Sequence, residues 1–108
     1  MATQMRFFPI LPLVLDEIRE GVWCFSGSVP AALAYETDAP PGEARDYLFR
    51  AAAISGPNLA RDIAARRGFT FKIRTWPTET DALAAAAKIG ARVTQVCSRD
   101  KKAWRTLA

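Results

Sequence analysis

The chain contains no histidine and only two cysteines among its 108 residues. Without imidazole, the commonest protein metal ligand and the usual general base near neutral pH are both missing, so any chemistry must run on Tyr, Arg, Lys or carboxylates. Cys24 and Cys97 lie far apart and form no CxxC pair, which argues against a zinc site or a disulfide framework and fits two reduced, buried thiols. There is no Gly-rich phosphate loop, no Ser/His/Asp set and no dinucleotide fingerprint, so neither a metal nor a cofactor is expected. Long apolar runs are lacking as well. The longest, residues 7–15, is broken by Pro9 and Pro12 and falls short of the roughly 18 residues of a membrane helix. Its flanks are not those of a signal peptide either: one Arg precedes it, Asp16 and Glu17 follow at once, and no small-residue cleavage site is present. A cytoplasmic location and no membrane partner are the expectation.

What the chain does have is a reversal of charge sign. Residues 1–60 carry four arginines against seven carboxylates, a net charge of −3, whereas residues 61–108 carry eleven Lys and Arg against four carboxylates, a net charge of +7. A basic half of that size gathers polyanions through counterion release and long-range attraction, which points to DNA or RNA as partner. The length, and an apolar fraction of 50%, suit one compact domain with a single core. Within it, residues 1–20 read as an N-terminal helical extension, 21–92 as the core and 93–108 as a C-terminal strand with a basic tail.

Periodicity and punctuation divide that span. Leu11, Leu15 and Ile18 at helical spacing predict a short helix over 11–20 that stops at Gly21. Residues 22–25 and 31–37 read as two strands of a β-hairpin around the turn at 26–28, weakened in the second strand by Pro30 and its alanines. A loop through Pro40, Pro41 and Gly42 leads to a helix with Glu43 in its first turn and Ala44, Tyr47, Leu48, Ala51 and Ile54 as its inner stripe. Ser55 as cap and Pro57 in the first turn start a second helix, with Leu59 and Ile63 facing inward and Gly68 closing it. Residues 69–76 alternate, placing Phe69, Phe71, Ile73 and Thr75 on one face and Thr70, Lys72, Arg74 and Trp76 on the other. Thr78 caps a further helix that Gly90 ends, residues 93–97 form a last strand, and the tail around Trp104 reads as a helical turn or as disordered. The fold class expected is α+β, a small, mainly antiparallel sheet made of a hairpin and a central strand, packed with three to four helices.

Gly21-Val22-Trp23, eleven intervening residues, Tyr35-Glu36-Thr37 and then Arg45 resemble the core of the GIY-YIG nuclease family. The strand at 69–76 and the helix after Thr78 resemble that family's third strand and its following helix, so the likeness spans roughly residues 21–92. The resemblance implies Trp23 at the first tyrosine position, Tyr35 at the second and Arg45 as the essential helix arginine. Tyr35 and Arg45 would then supply base and cation for phosphodiester hydrolysis, which also needs a metal held by a carboxylate. The helix that should carry a glutamate reads Ala82-Leu83-Ala84-Ala85-Ala86-Ala87, with Glu79 and Asp81 a turn or more too early. Trp23 replaces a tyrosine and Thr37 a glycine. These departures imply a catalytically silent relative in which Tyr35 and Arg45 mark a remnant active-site surface. Taken singly, Trp23 reads as a packing aromatic.

Independently of that likeness, Lys72, Arg74 and Trp76 on one strand face combine phosphate contact with base stacking. Arg61, Arg66 and Arg67 on the preceding helix and Lys101 and Lys102 in the tail extend the nucleic-acid-binding set. The alternative expectation is a protein-interaction module, an adaptor or inhibitor acting on a protein of nucleic-acid metabolism and encoded by a mobile element.

Overall fold

A computed structural model describes residues 13–99 and 103–107. The order is β1 (Leu13–Arg19), β2 (Val22–Gly27), α1 (Ala31–Ala34), β3 (Tyr35–Thr37), α2 (Glu43–Ser55), α3 (Pro57–Arg66), β4 (Phe71–Ile73), α4 (Glu79–Lys88), β5 (Val93–Ser98) and β6 (Ala103–Thr106). A four-stranded sheet has the order β2-β1-β5-β6, antiparallel except for the β1/β5 pair, and β3 and β4 form a separate antiparallel pair. The α+β class expected from the sequence is the one observed. Among the described residues no helix is long and apolar enough to cross a membrane.

The first element departs from the expected helix. β1 is the second strand of the sheet, with Leu13 and Leu15 fully buried. Apolar residues at 11, 15 and 18 satisfy a helical period, but Leu13 and Leu15 against Val14 and Asp16 satisfy a strand period equally, and pairing on both sides of β1 decides between them. Leu11 and Pro12 lie outside the described residues. Gly21 consequently makes the tight β1–β2 turn, at φ +73°, rather than a helix stop. The hairpin therefore joins β1 to β2, not 22–25 to 31–37. Residues 31–34 fold instead into one helical turn on Pro30, whose carbonyl accepts from the amides of Leu33 and Ala34 at 2.9 and 3.0 Å.

Two apolar clusters result. One lies between the large sheet and α4 and contains Leu13, Leu15, Trp23, Phe25, Leu33, Trp76, Ala82, Ala86 and Val96. The other packs α2 and α3 on the small sheet and contains Ala39, Leu48, Ala52, Ala60, Ala64 and Phe71. Alanines at the α2–α3 contact let the two helices approach closely. The buried line of α2 is Leu48 and Ala52, so Tyr47 and Ile54, placed in the inner stripe by the sequence, are exposed, Ile54 at 77%. In α3, Ala60 and Ala64 are buried, while Leu59 is exposed and Ile63 half-buried. Ser55 belongs to α2, and Gly56 precedes Pro57 at the start of α3. Gly68, at φ +81°, ends α3, with the Phe69 amide donating back to the Ala64 carbonyl at 2.8 Å. Thr78 caps α4 as expected, its hydroxyl accepting from the Asp81 amide at 3.1 Å. The tail is neither helical nor irregular where described: β6 pairs with β5 over residues 103–106.

The expected strand over 69–76 contracts to Phe71–Ile73. Beyond it the chain crosses to β2, where Trp76 donates its amide to the Trp23 carbonyl at 2.9 Å and accepts from the Trp23 amide at 2.8 Å. Trp76 is buried and meets Phe25 edge-on at 5.2 Å, so it is a core residue and not a stacking platform. Trp76→Ala is expected to lower the unfolding free energy by about 3–5 kcal/mol in urea titration. The same change at Trp104, which is 59% exposed, is expected to cost less than about 0.5 kcal/mol. Equal effects at the two positions would contradict this assignment of the core.

Candidate phosphate-binding site

Three of the residues singled out in the sequence converge. Tyr35 opens β3, Arg45 lies in the first turn of α2, and Arg74 directly follows β4. The β3–β4 register sets Tyr35 opposite Ile73, Glu36 opposite Lys72 and Thr37 opposite Phe71, which brings Arg74 to the start of β3. The end of β3 is pinned by side chains. Thr37 Oγ1 donates to the Thr70 carbonyl at 2.6 Å and accepts from the Ala39 amide at 3.2 Å, and Asp38 Oδ1 accepts from the Thr70 amide at 2.7 Å. These bonds fix where the chain leaves β3, and the rigid Pro40-Pro41 pair then returns it as α2. Tyr35, Arg45 and Arg74, with Ala32, Glu36, Thr37 and Phe49, line one pocket of about 180 Å³.

Both guanidinium groups are held from behind. Arg45 sits over the Phe49 ring at 5.2 Å from its centroid. Arg74 sits over the Trp76 ring at 4.9 Å and donates from Nη1 to the Ala32 carbonyl at 2.8 Å, while its own amide donates to the Ala34 carbonyl at 3.0 Å. One of the five guanidinium N–H donors of Arg74 is thereby used, and the other four make no hydrogen bond among the described residues. Among the described residues neither arginine has a carboxylate within ion-pair distance. Glu36, the one acid among the described residues lining the pocket, pairs with Lys72 at 3.7 Å, an exposed contact of little energetic weight. Arg45 and Arg74 against Glu36 leave the described lining of the pocket cationic.

The other expected contacts are placed differently. Arg61, Arg66 and Arg67 are exposed on and just after α3. Arg61 donates to Asn58 Oδ1 at 2.8 Å, and Arg67 lies over the Tyr47 ring at 5.0 Å, beside Glu43. Trp76 is withdrawn into the core, and Lys101 and Lys102 lie outside the described residues. Phe49 was not singled out in the sequence, although it lies one helical turn after Arg45, where a stacked partner is within reach. At the alanine run of α4, Ala82 and Ala86 are buried. Glu79 accepts from Arg105 of β6, and neither Glu79 nor Asp81 lines the Tyr35–Arg45 pocket. Among the described residues no group of three His, Cys, Asp or Glu side chains is arranged to hold a metal ion.

The chain matches no protein-family model, no curated protein and no solved structure.

The two thiols stand apart from this pocket. Cys24 and Cys97, half-buried rather than buried as expected, are the cross-strand neighbours of Asp16 on β2 and β5. Both thiol pKa values are raised above the ordinary 9.0, first by burial and then by the Asp16 charge, with an Asp16 hydrogen bond adding to the effect at Cys97. A raised value keeps the thiol protonated, the opposite of an activated nucleophile. A thiol-reactive disulfide reagent at pH 8 is therefore expected to label the folded protein more slowly than the protein in urea. The stability tied to these thiols holds below pH 9 and is lost as pH rises through their raised values. Faster labelling of the folded form would contradict both statements.

Proposed function

We propose that the chain is a small nucleic-acid-binding domain resembling a GIY-YIG nuclease that has lost its metal carboxylate, and that it seats a phosphate in the Tyr35–Arg45–Arg74 pocket. The observation that carries this reading is the convergence of two guanidinium groups, unpaired with acids among the described residues, and one phenol on a single small pocket. Guanidinium forks match phosphate oxygens and bind them through charge-assisted hydrogen bonds, and a tyrosine hydroxyl adds a neutral donor. With Glu36 turned to Lys72, the donor set favours holding a phosphodiester over cleaving it. Arg61, Arg66 and Arg67 add exposed charge along α3, the helix that packs beside β4, and so extend the attraction beyond one phosphate. A cytoplasmic setting suits both the ligand and two unpaired thiols.

A second reading, a protein-interaction module or inhibitor of a nucleic-acid enzyme carried by a mobile element, is favoured by a different surface. Tyr47, Ala51, Ile54, Leu59 and Ile63 line an apolar groove of about 210 Å³ between α2 and α3. Large apolar side chains exposed side by side in this way are typical of contact surfaces.

Under the first reading, affinity for DNA or RNA measured by fluorescence anisotropy falls steeply as salt rises. Arg45→Ala and Arg74→Ala each weaken binding and each lower the slope of log affinity against log salt by about 1. Binding that is absent at low salt, or that ignores salt, refutes it. Retained affinity in both arginine variants would move the phosphate seat elsewhere.

A further inference from the structure

A second, larger cleft of about 340 Å³ adjoins the arginine pocket. The two share a wall, because Tyr35 and Phe49 line both. Beyond that wall the lining changes character: Phe25, Val29, Ala53, Pro57 and Ile73 are among its apolar members, and among the described residues it contains no charged side chain. Ser26 and the Tyr35 phenol are its polar side chains. A molecule that fills both hollows must carry an anion at one end and a flat or apolar group at the other, with an aromatic wall between.

We propose that the pair of hollows is a seat for an unpaired nucleotide, its phosphate between Arg45 and Arg74 and its base in the apolar cleft against Tyr35 and Phe49. The inference rests on the nucleic-acid reading above and adds to it the strandedness of the ligand. A base inside a duplex is stacked on both faces and cannot enter a cleft of this kind without being extruded, whereas a single strand offers its bases at little cost. Aromatic walls bind bases of any sequence, since every base has a π-face. Charge complementarity selects the nucleotide over a purely apolar occupant, because the arginines at the end of the cleft would otherwise stay unmatched. The neutral lining beyond Tyr35 selects it over a second phosphate, which would find no cation there among the described residues.

Ala53 offers a test that leaves every charge in place. It lines the cleft from α2, is exposed to solvent, and does not line the arginine pocket. Ala53→Leu should fill part of the cleft without disturbing the fold, as an exposed helical position tolerates leucine well. Affinities of the wild type and of this variant are measured at low salt for a labelled single strand of about 12 nucleotides and for the duplex of the same sequence. The expected result is a single-strand preference of at least about 5-fold in the wild type and a loss of at least about 5-fold for the strand alone in Ala53→Leu. Equal binding of strand and duplex, or an Ala53→Leu variant that keeps its strand affinity, overturns the base cleft and leaves the charge-driven reading standing. Failure of both forms to bind overturns the reading beneath it as well.

Discussion

The fold depends on one short joint between its two apolar clusters. Leaving β4, the chain crosses three residues to the edge of β2, where the reciprocal hydrogen bonds of Trp23 and Trp76 dock it. An isolated pair of backbone bonds contributes little by itself. Its effect comes from the side chains around it: Trp76 fills the first cluster against Phe25, while Phe71 and Ile73, earlier on the same segment, still belong to the small sheet. The segment therefore fixes the distance between the large sheet and the α2–α3 pair. Both candidate hollows lie at that junction, the cleft between β2, α1 and the helices and the pocket between α1, β3 and α2.

Local chemistry was enough to reveal the elements whose ends are marked. Pro57 and Gly68 bound α3, Thr78 and Gly90 bound α4, and the Pro40-Pro41-Gly42 loop announces α2. The elements misread are those decided by strand pairing and tertiary contact rather than by their own residues. β1 is a strand because β2 and β5 flank it, and β6 is a strand because β5 offers an edge. The single turn at 31–34 is too short to be stable alone, and its terminal carbonyls are satisfied by Arg74, forty residues later in the chain. A strand period read through residue 76 put Trp76 outside; it fails because the strand stops at Ile73 and the chain changes sheets.

The same division applies to the site. Tyr35 and Arg45 stood out through their spacing, and Arg74 through strand alternation, yet the reason these three meet is the pairing of β3 with β4 and the Thr37, Asp38 and Thr70 bonds that aim α2. Phe49 and the backbone of Ala32 had no marker, since one is an ordinary helix aromatic and the other contributes only its carbonyl. The charge asymmetry was legible in full, but its consequence was not. Of the cations counted in the basic half, Arg74 is committed to the pocket, Lys72 leans on Glu36 and Arg105 on Glu79, so the ligand-facing charge is smaller than the count implies.

Under the proposed function Arg74 carries two duties that pull in different directions. As a structural residue it closes the carbonyl end of α1 and covers the Trp76 ring, which sits at the joint between the clusters. For the phosphate binding proposed above it must also keep donors free toward the pocket it lines. The planar guanidinium reconciles the two, because Nη1 can serve Ala32 and leave the other N–H donors uncommitted among the described residues while the flat cation rests on the indole. A lysine would have to choose, its single ammonium being unable to reach the carbonyl and span phosphate oxygens as a fork. The tether also removes most of the rotamer freedom that an exposed arginine would lose on binding. A pocket built on such a residue is preorganised by the fold itself, and the stability of the α1 turn and the affinity of the site are coupled through the same side chain.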